Sequence, residues 1–216
     1  MTATTVLQAI EPVMVETLGA SAARGVFRTL PPSVNQAPGT LDVLEVRELL
    51  SQLETSGRLF AAPGRVIPAR RLRDALTGHA PAKSNEQRFS ISSDRDVLTV
   101  QRATQQLTRG FFGLTDCVRL ATAVSELARN IYMYAKQGTV TLKLSEEPNA
   151  FLFEITAEDQ GPGIPNLDVI MKGQYRSRTG LGRGIVGTKS LLDDMNVQST
   201  VGKGTRITGH RRARKT

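Results

Sequence analysis

The chain has little with which to staple or anchor itself. Its 216 residues include one cysteine, Cys117, and no tryptophan. A single thiol excludes an intramolecular disulfide and fits a reducing compartment. A small buried apolar role suits it. No apolar stretch is long enough to span a bilayer. The N-terminus lacks a basic segment leading into a continuous apolar run. A cytoplasmic protein with no membrane partner is expected. The missing tryptophan and the lack of interleaved basic and aromatic residues speak against stacking on single-stranded nucleic acid.

What is abundant is positive charge, a formal +8, but it is unevenly spread. Residues 1–80 carry +1 and residues 81–205 carry +2. The remaining +5 comes from Arg206, Arg211, Arg212, Arg214 and Lys215. A solvated basic tail over 211–216 is the expectation, and no nucleic-acid partner is inferred from it.

Periodicity divides the rest. Residues 4–30 read as a helix, with Val6, Leu7, Ile10, Val13, Met14 and Leu18 near one face. Pro31-Pro32 stops it. Residues 41–55 give a second helix with Gly57 as its cap, and 68–77 a third. Residues 78–85 (GHAPAKSN) read as a linker. The boundaries are a helical module at 1–80, a linker at 81–87, a main domain at 88–210 and the tail. Ser93 and Asp96 have capping-box spacing, so a helix is expected over 94–109. Another should open at Thr115 or Asp116 and end near Gly138. Alternation predicts strands at 139–144 and 151–155. A short helix around 166–171, a glycine-rich loop and a helix over 184–194 follow. A final hairpin, 197–201 with 205–208, should turn at Gly202-Lys203-Gly204. The fold class is α/β: a two-layer sandwich with a mixed sheet, preceded by a small mainly helical region.

Three segments carry chemistry. Glu126 and Asn130 are four apart on a predicted helix and share a face. An amide oxygen suits Mg²⁺, and a carboxylate one turn away can orient or deprotonate a hydroxyl. Alone, the pair reads as a polar patch on an amphipathic helix. Asp159 stands just past a strand-like run, before Gly161 and Gly163. Its carboxylate can accept from an exocyclic amine, and the glycines allow close approach. Alone, it is equally a turn acid. Gly180, Gly182 and Gly184 precede a helix, where backbone amides can cradle phosphate, with Arg176, Arg178 and Arg183 adding charge. Gly182-Arg-Gly-Ile-Val-Gly187 matches G-x-G-x-x-G but lacks the preceding strand and the acid roughly 20 residues on. Gly187-Thr-Lys-Ser190 lacks the P-loop's direct Gly-Lys step.

ExxxN on a helix, then DxGxG, then GxGxG, then Gly202-Lys-Gly-Thr205 resembles the Bergerat-fold ATPases over roughly 88–210. Ala123–Tyr132 and Ala157–Pro165 are similar to the RsbT-type switch kinases on the anti-sigma serine/threonine kinase branch. Sister anti-sigma kinases carry Asn-Ala and a later His; here Ile131-Tyr132 follow Asn130. The resemblance implies ATP and Mg²⁺, with Asp159 accepting from the adenine amine and Gly161 and Gly163 under the base. Asn130 would hold Mg²⁺, and Glu126 would be the base. Gly180, Gly182 and Gly184 would form the phosphate lid, with Arg178 and Arg183 at the nucleotide and Thr205 near the adenine.

The implied substrate is a Ser or Thr on a STAS-domain protein, with a PP2C-type phosphatase as a further partner. A sigma factor fits less well, given Ile131-Tyr132. A nucleotide-dependent binding regulator without kinase activity is the alternative, disfavoured by the intact Glu126. A histidine kinase is disfavoured too, because His79 sits in Gly-His-Ala-Pro and His210 near the C-terminus. Residues 1–80 lie outside the resemblance; partner docking, homodimerisation or a helical prop all suit them.

Overall fold

The computed structural model describes residues 5–60, 68–78, 82–167, 170 and 181–215, with backbone alone for 181–183. The chain divides into two compact units, Met1–Asn85 and Glu86–Thr216.

The first unit is helical. Helix α1 (Val6–Leu18) starts at a reciprocal cap, in which Thr5 and Gln8 exchange backbone-to-side-chain hydrogen bonds of 2.9 and 3.3 Å. Val6, Ile10 and Met14 form its buried stripe. The single helix expected over 4–30 is two: Gly19, at φ +86°, ends α1, and α2 (Ala20–Phe27) follows. Glycine takes that φ at little cost. Helix α3 (Val43–Phe60) outruns its expected end. Leu53 and Gly57 share its buried face, so the apolar stripe carries the helix past the glycine expected to cap it. Helix α4 (Ala69–Thr77) buries Leu72 and Leu76 and ends at Gly78, φ +64°.

The expected linker is partly structured. Lys83 donates its N–H to the Leu41 carbonyl and accepts from Val43 N–H, both at 3.0 Å. Asn85 Nδ2 donates to Asp42 at 2.7 Å. Strand β1 runs Asn85–Ile91, so residues 85–87 are strand.

The second unit is an α/β sandwich. β1, β2 (Gly138–Glu146), β3 (Ala150–Asp159), β4 (Asp194–Thr200) and β5 (Gly204–Arg214) form one sheet in the order β1-β2-β3-β5-β4. The β2–β3, β3–β5 and β5–β4 pairs are antiparallel. Strand alternation puts Val140, Leu142, Leu144, Phe153, Ile155 and Ile207 in the core. Helix α6 (Leu114–Asn130) packs between α5 (Asp94–Thr108) and α7 (Leu181–Lys189). Phe111 and Phe112, between α5 and α6, meet Phe151 and Phe153 edge-on, with ring centres 4.8 and 6.4 Å apart. Ser93 caps α5 as expected, accepting from Asp96 N–H. Among the described residues no helix is long and apolar enough to cross a membrane.

The C-terminal basic residues are not a solvated tail, because β5 continues to Arg214. The Arg211 side chain is 16% exposed and bonds Asp116 at 2.8 Å and Asp193 at 3.3 Å. It also reaches the Leu191 carbonyl. Lys215 meets the buried Glu146 carboxylate at 2.7 Å. The positive excess offsets acids that the fold partly desolvates. Arg211→Ala is expected to lower the unfolding free energy by about 2 kcal/mol, because Asp116 keeps only the longer 3.6 Å contact with Arg119 and the Leu191 carbonyl and Asp193 lose a donor. Urea denaturation measures this, and a change under about 0.5 kcal/mol, typical of neutral surface positions, would contradict it.

Candidate functional site

Helix α6 supplies the first half of the site. Val124, Leu127 and Ala128 are buried, which turns Glu126 and Asn130 towards the opposite side. After Asn130 the helix widens into a π-type turn over Ile131–Ala135, closed by Lys136 at φ +69°. Such a turn adds a residue to the helical repeat and redirects the side chains that follow. Ile131 and Tyr134 thereby line a cavity of about 400 Å³.

The second half comes from strand ends. Asp159 closes β3 and pairs with Thr205 at the start of β5. Its Oδ1 accepts Gly161 N–H at 2.8 Å, which shapes the glycine loop and leaves Oδ2 for a ligand. The β4–β5 turn lies directly on that loop. Gly163 has φ +72°, and a Cβ there would collide with the Thr200 carbonyl. Gly204 has φ +103°, and a Cβ there would collide with the Asp159 carbonyl. Both positions require glycine for backbone conformation and for space. Gly202 N–H donates to the Pro162 carbonyl at 2.8 Å across the same contact.

Asn130, Asp159, Gly163 and Thr205 line the 400 Å³ cavity together with Ile164, Ile170, Ile185 and Ile207. It is apolar apart from those few polar groups, the character of a planar-heterocycle pocket. Asn130 and Tyr134 also line a second cavity of about 510 Å³, together with Glu126, Arg129, Gly184 and Thr188. Asn130 Nδ2 is buried and has no hydrogen-bond partner among the described residues. A Cβ on Gly184 would stand 3.5 Å from Glu126 Oε2 and 3.6 Å from Asn130 Oδ1. Both side chains therefore face the first turn of α7. Gly161 does not line the cavity; its backbone passes against Ala135.

The lid glycines need correction. α7 runs Leu181–Lys189 where 184–194 was expected, so Gly182 joins Gly184 in its first turn instead of lying in the loop before it. The first turn of a helix has N–H groups without intrahelical acceptors, which suits an anion. Helix packing against α6 outweighs the low helix propensity of the two glycines. Arg183 lies in that turn, with its backbone alone described. Arg178 and Gly180 lie outside the described residues. Tyr134 and the isoleucines were not singled out from sequence, although the apolar run after Asn130 was a usable signal.

A family model described as "Histidine kinase-, DNA gyrase B-, and HSP90-like ATPase" matches residues 115–213. The serine/threonine-protein kinase RsbT of Bacillus subtilis is 36% identical over 118 residues, 54% of this chain and 89% of that protein. The chain belongs to this ATPase family. It lies on the branch that holds RsbT and the anti-sigma F factors. The anti-sigma F factor of Clostridium kluyveri is 31% identical over 51% of this chain and 78% of its own length. Among solved structures, the Acinetobacter baumannii histidine kinase AdeS aligns over 98% of both chains at 16% identity, with a TM-score of 0.33, too loose to inform the fold. Membership in the ATPase family implies that the chain binds ATP.

Gly163→Ala is expected to destabilise the protein by about 1–3 kcal/mol, the cost of a forced left-handed residue, and to weaken ATP binding. Gly113→Ala, whose added methyl meets nothing within 4 Å, is the control. Thermal unfolding and calorimetry with ATP read both effects. Equal behaviour of the two variants would contradict the packing described for Gly163.

Proposed function

We propose that this chain is a cytoplasmic Mg·ATP-dependent protein kinase that phosphorylates a serine or threonine on a STAS-domain partner. The observation that carries the reading is that Asn130 lines two neighbouring cavities, one with Glu126 in its wall and the other, apolar one with Asp159. The adenine occupies the apolar cavity, and its amine donates to Asp159 Oδ2. The phosphates extend past Asn130 to the first turn of α7, where Gly182 and Gly184 cradle them; the motif order adds Gly180, Arg178 and Arg183 to the proposed phosphate contacts.

The donor set fits a hard cation: Asn130 offers an amide oxygen beside a carboxylate, and its buried Nδ2, without a partner among the described residues, can donate to a phosphate oxygen. Bound there, Mg²⁺ offsets charge on the transferring phosphates. Glu126 orients the partner's hydroxyl and takes its proton. The hydroxyl oxygen bonds to the γ-phosphorus as the bond to the β–γ bridging oxygen breaks, and ADP leaves. The product carries close to two added negative charges at a protein surface, enough to break one complex and favour another. A PP2C-type phosphatase is a fitting second partner, and the helical first unit a fitting docking or dimerisation module.

Labelled ATP, Mg²⁺ and a STAS-domain protein from the same cell test the reading. Glu126→Ala should lower transfer at least about 100-fold, the usual contribution of a positioned base, with ATP affinity retained. Undiminished transfer would remove Glu126 from its role. ATP binding without transfer in the wild type would favour the regulator without kinase activity, which the relatives named anti-sigma F factor also suit.

A further inference from the structure

A hydroxyl behind the apolar cavity has a position that no motif assigns. Ser199, half-buried near the end of β4, lines the neighbouring polar groove rather than the apolar cavity, and it touches two residues of that cavity's wall, Ile164 and Thr205. It accepts the Ile164 N–H at 2.8 Å, from the loop that follows Asp159. It lies 2.9 Å from the Thr205 hydroxyl. It can also donate to the Gly204 carbonyl at 3.2 Å. Ser199 has one proton, so two arrangements exist. If it donates to Gly204, the Thr205 proton points back at Ser199 and Thr205 offers the cavity only lone pairs. If it donates to Thr205, the Thr205 proton is released towards the cavity.

We propose that Ser199 is a positioning residue for base recognition, holding Thr205 in the arrangement that donates towards the adenine ring. This rests on the assignment of the apolar cavity to the base. Asp159 and Thr205 are cross-strand neighbours, and both line that cavity. Adenine presents an amine donor beside its N1 acceptor. The Asp159 carboxylate supplies acceptor oxygens, so it meets the amine. The neighbouring N1 then needs a donor, and Thr205 supplies one, directly or through a water, when Ser199 serves as its own donor. The Ile164 N–H fixes the Ser199 oxygen, so the pair cannot turn away together.

Calorimetry on the full chain with ATP and with 1-deaza-ATP, in which a carbon replaces N1, tests this. In the wild type, loss of N1 should weaken binding about tenfold, the value of one well-placed hydrogen bond. Ser199→Ala should weaken ATP binding about tenfold and leave 1-deaza-ATP nearly unchanged, because the contact it supports is already absent. A purely structural role would weaken both nucleotides equally, and that result, or no effect on ATP, overturns the proposal. Thermal unfolding confirms that Ser199→Ala is folded. Asp159→Asn is the separate arm: if it leaves ATP binding untouched, the base-site assignment fails, whatever Ser199 does.

Discussion

The site depends on two backbones lying closer together than any side chain allows. The β4–β5 turn rests on the loop after Asp159, with Gly204 against the Asp159 carbonyl and Gly163 against the Thr200 carbonyl. The Gly202–Pro162 hydrogen bond and the Ser199–Ile164 hydrogen bond hold the two together. This contact keeps Thr205 opposite Asp159 in the β3–β5 register. It also holds Ile164 as part of the cavity wall. Without it, the carboxylate would be one more acid at a strand end.

The helical layer sets the distance over which a ligand can reach. Helix α6 is tied to the sheet core through Leu120, Val124 and Leu127, each at most 1% exposed. Its register therefore fixes where Glu126 and Asn130 stand relative to Asp159. The π-type turn ends that helix and brings Ile131 and Tyr134 into the wall of the apolar cavity. The result is a graded site, apolar at the strand ends and polar beneath α7. That gradient matches a molecule with a flat heterocycle at one end and phosphates at the other.

Local signals were legible in the sequence where local chemistry decides. The Ser93 cap, the β2–β3 hairpin and the turn at Gly202-Lys203-Gly204 depend on neighbouring residues, and they stand near their expected positions. The ordered motifs exposed the site because each places a polar group or glycine at an element end. What was not legible depends on distant partners. The basic residues after 210 read as a tail because Arg211 finds Asp116 only 95 positions back along the chain. Gly182 read as loop ahead of a helix expected from 184, because glycine disfavours helix, while packing against α6 is a tertiary term. Ser199 carries no motif at all; its significance appears only when Ile164 and Thr205 are seen beside it.

Asp159 and Thr205 also border a second, polar groove of about 810 Å³, lined by Arg88, Gln160, Lys203 and Arg206. Two places at one end of the sheet therefore compete for the nucleotide. Amide NMR with a non-hydrolysable ATP analogue and Mg²⁺ decides between them most directly. The largest shifts should fall on Gly163, Ile164 and Ile185, together with the Asn130 side-chain amide. Shifts confined to Arg88, Gln160 and Lys203, with the Asn130 side chain unmoved, would contradict the account.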